Sequence, residues 1–184
     1  MSNFADPSKS RLWLDGDAFR AAAGTAIPAD IFAASLSGWD AFGGIQAGFT
    51  IERPRNVEKL TIWNAEGTYR QKKDQEEPSI QLRPVDLSKA TALTLLTGGS
   101  LVSANGGLRW DEGDEEFFAM IVRVVDGTSK AAYYMEKSEL ANRPTEVLND
   151  EQLMGWDMEV SPLIPDGGGK PLIRFTDPSY NPLT

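Results

Sequence analysis

Apolar and polar residues alternate along residues 48–52, with Phe49 and Ile51 on one face and Thr50 and Glu52 on the other. Leu60 and Ile62 repeat the pattern opposite Thr61 and Trp63, so two strands are predicted. Residues 64–77 are then almost wholly polar, with Arg70, Lys72, Lys73, Asp74, Glu76 and Glu77, and Tyr69 as the one large side chain. A stretch of this kind makes a poor core strand. It reads as a long hairpin tip or loop, a length that usually marks function or disorder. Pro78 closes it, and Ile80 and Leu82 resume the alternation over 79–83.

Asp86, following Pro84, is a good N-cap, and residues 87–97 read as a helix stopped by Gly98-Gly99. Ala90, Leu93 and Leu96 share its apolar face, widened by Ala92 and Leu95. Threonines inside it lower its propensity, so packing against a sheet must hold it. Short Gly-bounded strands are predicted at 101–102 and 108–110. The strongest strand is 116–125, where Phe117, Ala119, Ile121 and Val125 line one face and Phe118, Met120, Val122 and Val124 the other. Apolar groups on both faces mean burial on both sides. Asp126-Gly127 turns the chain into a partner strand at 131–136 carrying Tyr133 and Tyr134. Residues 153–161 alternate through Trp156, Met158 and Val160, and a turn at 166–169 precedes a last strand at 172–175. Residues 1–47 show only a strand-like piece at 11–15 and a turn of helix at 18–23, limited by Gly24 and Pro28. They read as an arm or extended wrap more than as a core element. About eight short strands and one helix predict a mainly β fold, a sandwich or barrel.

Charge and composition narrow the chemistry. The 184 residues are 41% hydrophobic and 24% charged, with a net charge of -9, which fits one domain with an acidic bias. That bias opposes binding of nucleic acid through its phosphates. An acidic wall would repel DNA, which is useful only where DNA must pass without sticking. With zero His and zero Cys, the chain excludes Ser-His-Asp and Cys-His catalysis, thiolate and imidazole zinc sites, and redox dithiols. Stability must come from packing or from assembly with other chains. The opening MSNFADPSKSR has no apolar signal region and no run suits a membrane span, so a cytosolic product without a signal peptide is expected.

Several constellations invite a sharper reading. Asp111, Glu112, Asp114, Glu115 and Glu116 could chelate calcium or supply a carboxylate pair for glycoside hydrolysis. The calcium spacing is missing and like-charged exposed runs are common, so a solvated loop or an acidic rim is the stronger reading. PDGGGKP near 165–171 lacks the spacing of a phosphate loop and reads as a turn, and GWDAFGG at 38–44 fails similarly. Arg53, Arg55, Lys59, Arg70, Lys72, Lys73, Arg83 and Lys89 concentrate in one segment. With Trp63 and Tyr69 as stacking partners they could meet a nucleic acid, but interleaved acids and the net charge favour acidic patches of neighbouring subunits. Trp13, Trp39, Trp63, Trp110 and Trp156 are scattered singly. They suit core or interface anchors better than a sugar-binding platform.

The order of elements carries a resemblance. A Gly/Trp-rich lead, the GFTI strand, a charged connection, a strand with a Trp, a long polar arm, the SIQL strand and a short helix ending in Gly resemble the major tail protein family of long-tailed, non-contractile bacteriophages. The hairpin FFAMIVRVVDGTSKAAYYMEKSEL and the closing GWDMEVSPLIPDGGGKPLIRFTDP are similar to that family's later strands, so the match runs from about residue 37 to 178. The resemblance implies a tail tube β-sandwich with a flanking helix over 37–176, preceded by an N-terminal arm or extended segment, 1–36, and followed by a flexible tail, 177–184. It implies hexameric rings stacked into a hollow tube around a tape-measure protein. Terminator and distal tail proteins would be further partners, and double-stranded DNA would pass the lumen without specific binding. Such a protein is assembled in the host cytoplasm and resides in the virion, without membrane, cofactor, metal or catalytic residues.

Under this reading Trp63, Asn64, Glu66, Tyr69, Arg70, Lys72, Lys73, Asp74, Glu76 and Glu77 form an inter-subunit arm. Glu52, Glu58, Asp111, Glu112, Asp114, Glu115 and Glu116 are candidates for the lumen or an acidic rim. The competing readings are a tail terminator or baseplate hub of the same fold, a carbohydrate-binding β-sandwich, and, third, a carboxylate enzyme.

Overall fold

Period-two alternation dominates the chain, and the computed structural model, which describes residues 10–64, 66–146 and 148–178, is accordingly built from strands with one short helix. In chain order these are β1 (Asp15–Ala22), β2 (Asp40–Ala41), β3 (Ile45–Glu52), β4 (Val57–Leu60), β5 (Arg70–Lys73), β6 (Ser79–Pro84), α1 (Lys89–Leu96), β7 (Ser100–Ala104), β8 (Gly107–Asp111), β9 (Phe118–Asp126), β10 (Ser129–Leu140), β11 (Met158–Pro162) and β12 (Ile173–Thr176). The main antiparallel sheet runs β2-β1-β9-β10-β11-β6-β3, with β12 also on β10, while β4-β5 and β7-β8 form separate hairpins.

Strand β10 makes this sheet fold on itself. It pairs with β9 along one edge, while its other edge serves β12 through Ala131–Tyr134 and then β11 through Ser138–Leu140. A register shift between Met135 and Ser138 separates the two stretches, and such a bulge bends a strand and increases its twist. The two ends of the sheet consequently approach. A Cβ placed on Gly16 of β1 would stand 2.9 Å from the Phe49 ring of β3 and 2.8 Å from the Arg123 carbonyl, so only glycine fits there. Between the facing halves lies a core of Ala18, Ile80, Leu82, Phe118, Met120, Val122, Met135, Met158 and Val160, with Phe49 and Ile51 packed against it. This is the mainly β, sandwich-like fold that the alternation predicts.

The expected double burial of the strongest strand is also present. Phe118, Met120 and Val122 of β9 face that core, and Ile121 faces a second cluster with Phe19, Ala132 and Tyr134. The irregular residues 25–39 cover the second cluster through Ile31, Phe32, Leu36 and Trp39. Trp39 meets Tyr134 edge-on at 6.3 Å, and the Tyr134 hydroxyl donates a 2.6 Å hydrogen bond to the Thr25 carbonyl. Burial, reinforced by the Glu136 charge, pushes the Tyr134 phenol up from 10.0 to about 12. The unfolded chain therefore releases this proton first. Its stabilising contribution is complete below pH 10 and is lost as the pH rises towards 12. Tyr134→Phe is expected to cost about 1 kcal/mol near neutrality, the scale of one hydrogen bond. Urea melts should also show a shallower loss of stability above pH 10 than the parent shows. Identical alkaline slopes in the two proteins would contradict this role.

Three local expectations need correction. Residues 18–23 form no helical turn. Residues 18–22 belong to β1, which pairs with β9 along its whole length, from Asp15↔Val125 to Ala22↔Phe118. Within 1–36, residues 15–22 are therefore a core element rather than a wrap. The helix start also moves. Val85 still donates to the Gly44 carbonyl at 2.9 Å, and the Asp86 carboxylate accepts from Gly44 N at 2.7 Å. Chain held extended this far cannot begin a helix, so Ser88 is the cap, accepting from Thr91 N at 3.2 Å. The buried side of α1 is Ala90, Thr91, Thr94 and Leu96, rather than Ala90, Leu93 and Leu96. Thr94 satisfies its hydroxyl on the Ala90 carbonyl at 2.8 Å. Finally, the strand expected through Leu60 and Ile62 shifts to Val57–Leu60, and this β4 stands in an exposed hairpin apart from the main sheet. The tail 177–184 lies outside the described residues from position 179 onward.

Candidate functional site

The polar stretch is one arm of a protruding hairpin. Val57, Glu58, Lys59 and Leu60 of β4 stand opposite Lys73, Lys72, Gln71 and Arg70 of β5. Backbone bonds extend the ladder from Glu77 N to the Pro54 carbonyl at 3.1 Å, and outward to Tyr69 N on the Leu60 carbonyl at 2.8 Å. Arg55 and Glu76 pair at the root at 3.1 Å, and Lys72 lies 3.6 Å from Asp74. Every residue of β4 and β5 is exposed. At the tip, Trp63 is 99% exposed, and Tyr69, Val57, Leu60 and Ile62 also present apolar surface to water. Asn64, Glu66 and Asp74 complete the exposed arm, which Glu77 joins to β6. A two-stranded hairpin without a covering layer is marginal in water, and exposed strand edges are templates for pairing. The arm begins near Pro54, some ten residues before the polar run itself.

The acidic candidates are not one patch. Glu52 ends β3, beside the arm root, and Glu58 lies in the arm across from Lys72. Asp111 is held by Arg109 through two bonds of 2.7 and 2.8 Å, and Glu112 pairs with Arg143. Glu116 pairs with Arg20 at 2.6 Å and accepts from Gly98 N at 3.0 Å. Asp114 and Glu115, with Glu139, line a small cavity of about 290 Å³. Among the described residues, no three Asp, Glu, His or Cys side chains gather as a metal site.

Two larger concavities flank the sheet. A groove of about 950 Å³ separates the arm root, Arg53–Arg55 and Gln75–Pro78, from β11 and the loop that follows it. A second, of about 400 Å³, is walled by Leu87, Leu95, Trp110, Met154 and Trp156. The hairpin of β7 and β8 turns at Asn105-Gly106, both at positive φ (52° and 79°), and exposes Leu101, Val102 and Leu108. The geometry is thus one of protruding hairpins and apolar recesses. A family model for the phage tail tube protein matches residues 5–178. The chain belongs to the phage tail tube protein family. No curated protein matches it.

A tail tube subunit is a structural component of the virion that assembles into a multimeric tube with other tail proteins. No helix among the described residues is long and apolar enough to cross a membrane. Within the subunit the hairpins of β4-β5 and β7-β8 stand apart from the main sheet, and β3 is an edge strand of that sheet. The sequence alone predicts the strands of β7 and β8 without joining them as a hairpin, and does not reveal the recess. The β7-β8 hairpin has a usable signal, Asn105-Gly106 between two alternating runs. The recess between Leu87 and Trp156 has none, because its walls come from four separated segments.

Proposed function

We propose that this subunit forms hexameric rings that stack around a tape-measure protein into the tube of a long-tailed, non-contractile phage. Assembly takes place in the host cytoplasm, with terminator and distal tail proteins closing the two ends. The finished tube conducts double-stranded DNA into the host. The observation that carries this reading is the hairpin of β4 and β5, exposed on every residue and tipped by Trp63. Such an element gains order only against a neighbour, so the arm residues act between subunits. The chain's net charge of -9 supports a lumen that repels the phosphates and lets DNA slide, with Glu52, Glu58, Asp114 and Glu115 as the candidates not engaged in the ion pairs that hold Asp111, Glu112 and Glu116.

Replacing residues 56–75 with a short Gly-Ser turn tests this division of labour. The shortened subunit is expected to keep its circular dichroism spectrum and melt within a few degrees of the parent, since the arm adds nothing to either buried cluster. It is expected to remain in the supernatant at concentrations where the parent sediments. Collapse of the fold, or unchanged sedimentation, would contradict the assignment.

A further inference from the structure

We infer that the recess walled by Leu87, Leu95, Trp110, Met154 and Trp156 is the receptor for the Trp63 arm tip of a second copy of this chain. The inference rests on the tube reading above and deepens it by naming both sides of one contact. Trp63 is 99% exposed, a costly state for the largest apolar side chain at the end of a hairpin. The recess, about 400 Å³, is apolar on its walls, and Leu87 and Met154 are themselves open to water. One side of the molecule thus carries an aromatic knob, and another carries an apolar hole.

The knob and hole lie at opposite ends of β6. The arm rejoins the sheet at Ser79, while the recess opens beyond Pro84, where Trp156 N donates to the Pro84 carbonyl at 3.1 Å. Trp63 does not fill its own recess, so the occupant comes from another copy. A contact between different surfaces of identical chains is heterologous, and repeats into rings or open stacks. Charge agrees with the match. Along the arm, Lys59, Arg70, Lys72 and Lys73 outnumber Glu58, Glu66 and Asp74. The rim of the recess carries Glu112, Arg143 and Glu146; Arg143 pairs with Glu112, which leaves the negative charge of Glu146 in excess. Opposed signs at the rim steer encounter and fix register, while the buried indole supplies most of the affinity.

The test exploits the absence of native cysteine. Asn64→Cys, which leaves Trp63 in place, is combined with Leu87→Cys or Met154→Cys, and assembled full-length protein is oxidised. A ladder of disulfide-linked oligomers is expected from at least one pair. No ladder is expected from Asn64→Cys with Thr128→Cys, at an exposed turn elsewhere. In parallel, Trp63→Ser should raise the critical concentration for assembly about thirtyfold, as truncation of an interface anchor does. Its melting temperature should stay that of the parent, and Trp63→Phe should restore part of the assembly. Tubes that give no ladder, or that form equally well with Trp63→Ser, would overturn the receptor assignment and leave the tube reading standing. A parent chain that never assembles would overturn both.

Discussion

Gly99→Ala is expected to destabilise the subunit by about 3 kcal/mol, at the upper end for overpacking a rigid site. A Cβ at this position would fall 1.9 Å from the Asp111 carbonyl oxygen and 2.6 Å from Gly113 N. Both are backbone atoms, so no side chain can swing aside. The crowding has a purpose. Gly99 N and Gly113 N both donate to the Leu96 carbonyl at 2.8 Å, and the Thr97 hydroxyl donates to the Gly113 carbonyl at 2.7 Å. Two stretches of chain, 96–99 and 111–113, thereby close the end of α1 and the base of the β7-β8 hairpin. In a chain of this size the loss corresponds to a melting temperature lower by roughly 6–12 °C. Gly167→Ala, at an open turn with nothing within 4 Å of its added carbon, is the control and should change little. Equal melting temperatures for the two variants would contradict the steric account.

Glu116→Ala is expected to cost nearly as much, about 3 kcal/mol, for an electrostatic reason. Arg20 is only 3% exposed, stands over the Phe118 ring at 4.7 Å, and has Glu116 at 2.6 Å as its counter-charge. Its Nε and Nη1 have no hydrogen-bond partner among the described residues. Removing the carboxylate strands a buried cation and also releases Gly98 N. Glu116 is about one-third open to water, which holds the cost to the lower end of the range for a broken buried pair. Replacing both partners, Arg20→Met with Glu116→Gln, should recover most of the loss, because an apolar side chain has no charge to desolvate. Chemical denaturation of the two single variants and the double variant measures this directly. A double variant less stable than Glu116→Ala alone would contradict it.

Legibility followed the range of the interactions. The β9-β10 hairpin is readable because its strands alternate over long runs and meet at Asp126-Gly127. β1 is not, because its Ala-Phe-Arg-Ala-Ala run favours helix locally and becomes strand only by pairing along all of β9. Asp86 reads as the cap from the sequence, but distant Gly44 holds Val85 and Asp86 extended and moves the helix start to Ser88. Arg70–Lys73 carries no apolar alternation, so its strand character comes wholly from β4 across the hairpin. The arm's existence was therefore visible as a polar excursion, but its root near Pro54 was not. Likewise the acidic run was visible, yet Arg20, Arg109 and Arg143, which divide it among separate ion pairs, come mostly from elsewhere in the chain.

Electron microscopy of the purified, full-length chain across a concentration series tests the central claim most directly. The expected result is hollow tubes or stacked hexameric rings that appear above a critical concentration and contain no other protein. A chain that stays strictly monomeric throughout the series, and binds polysaccharide instead, would contradict it.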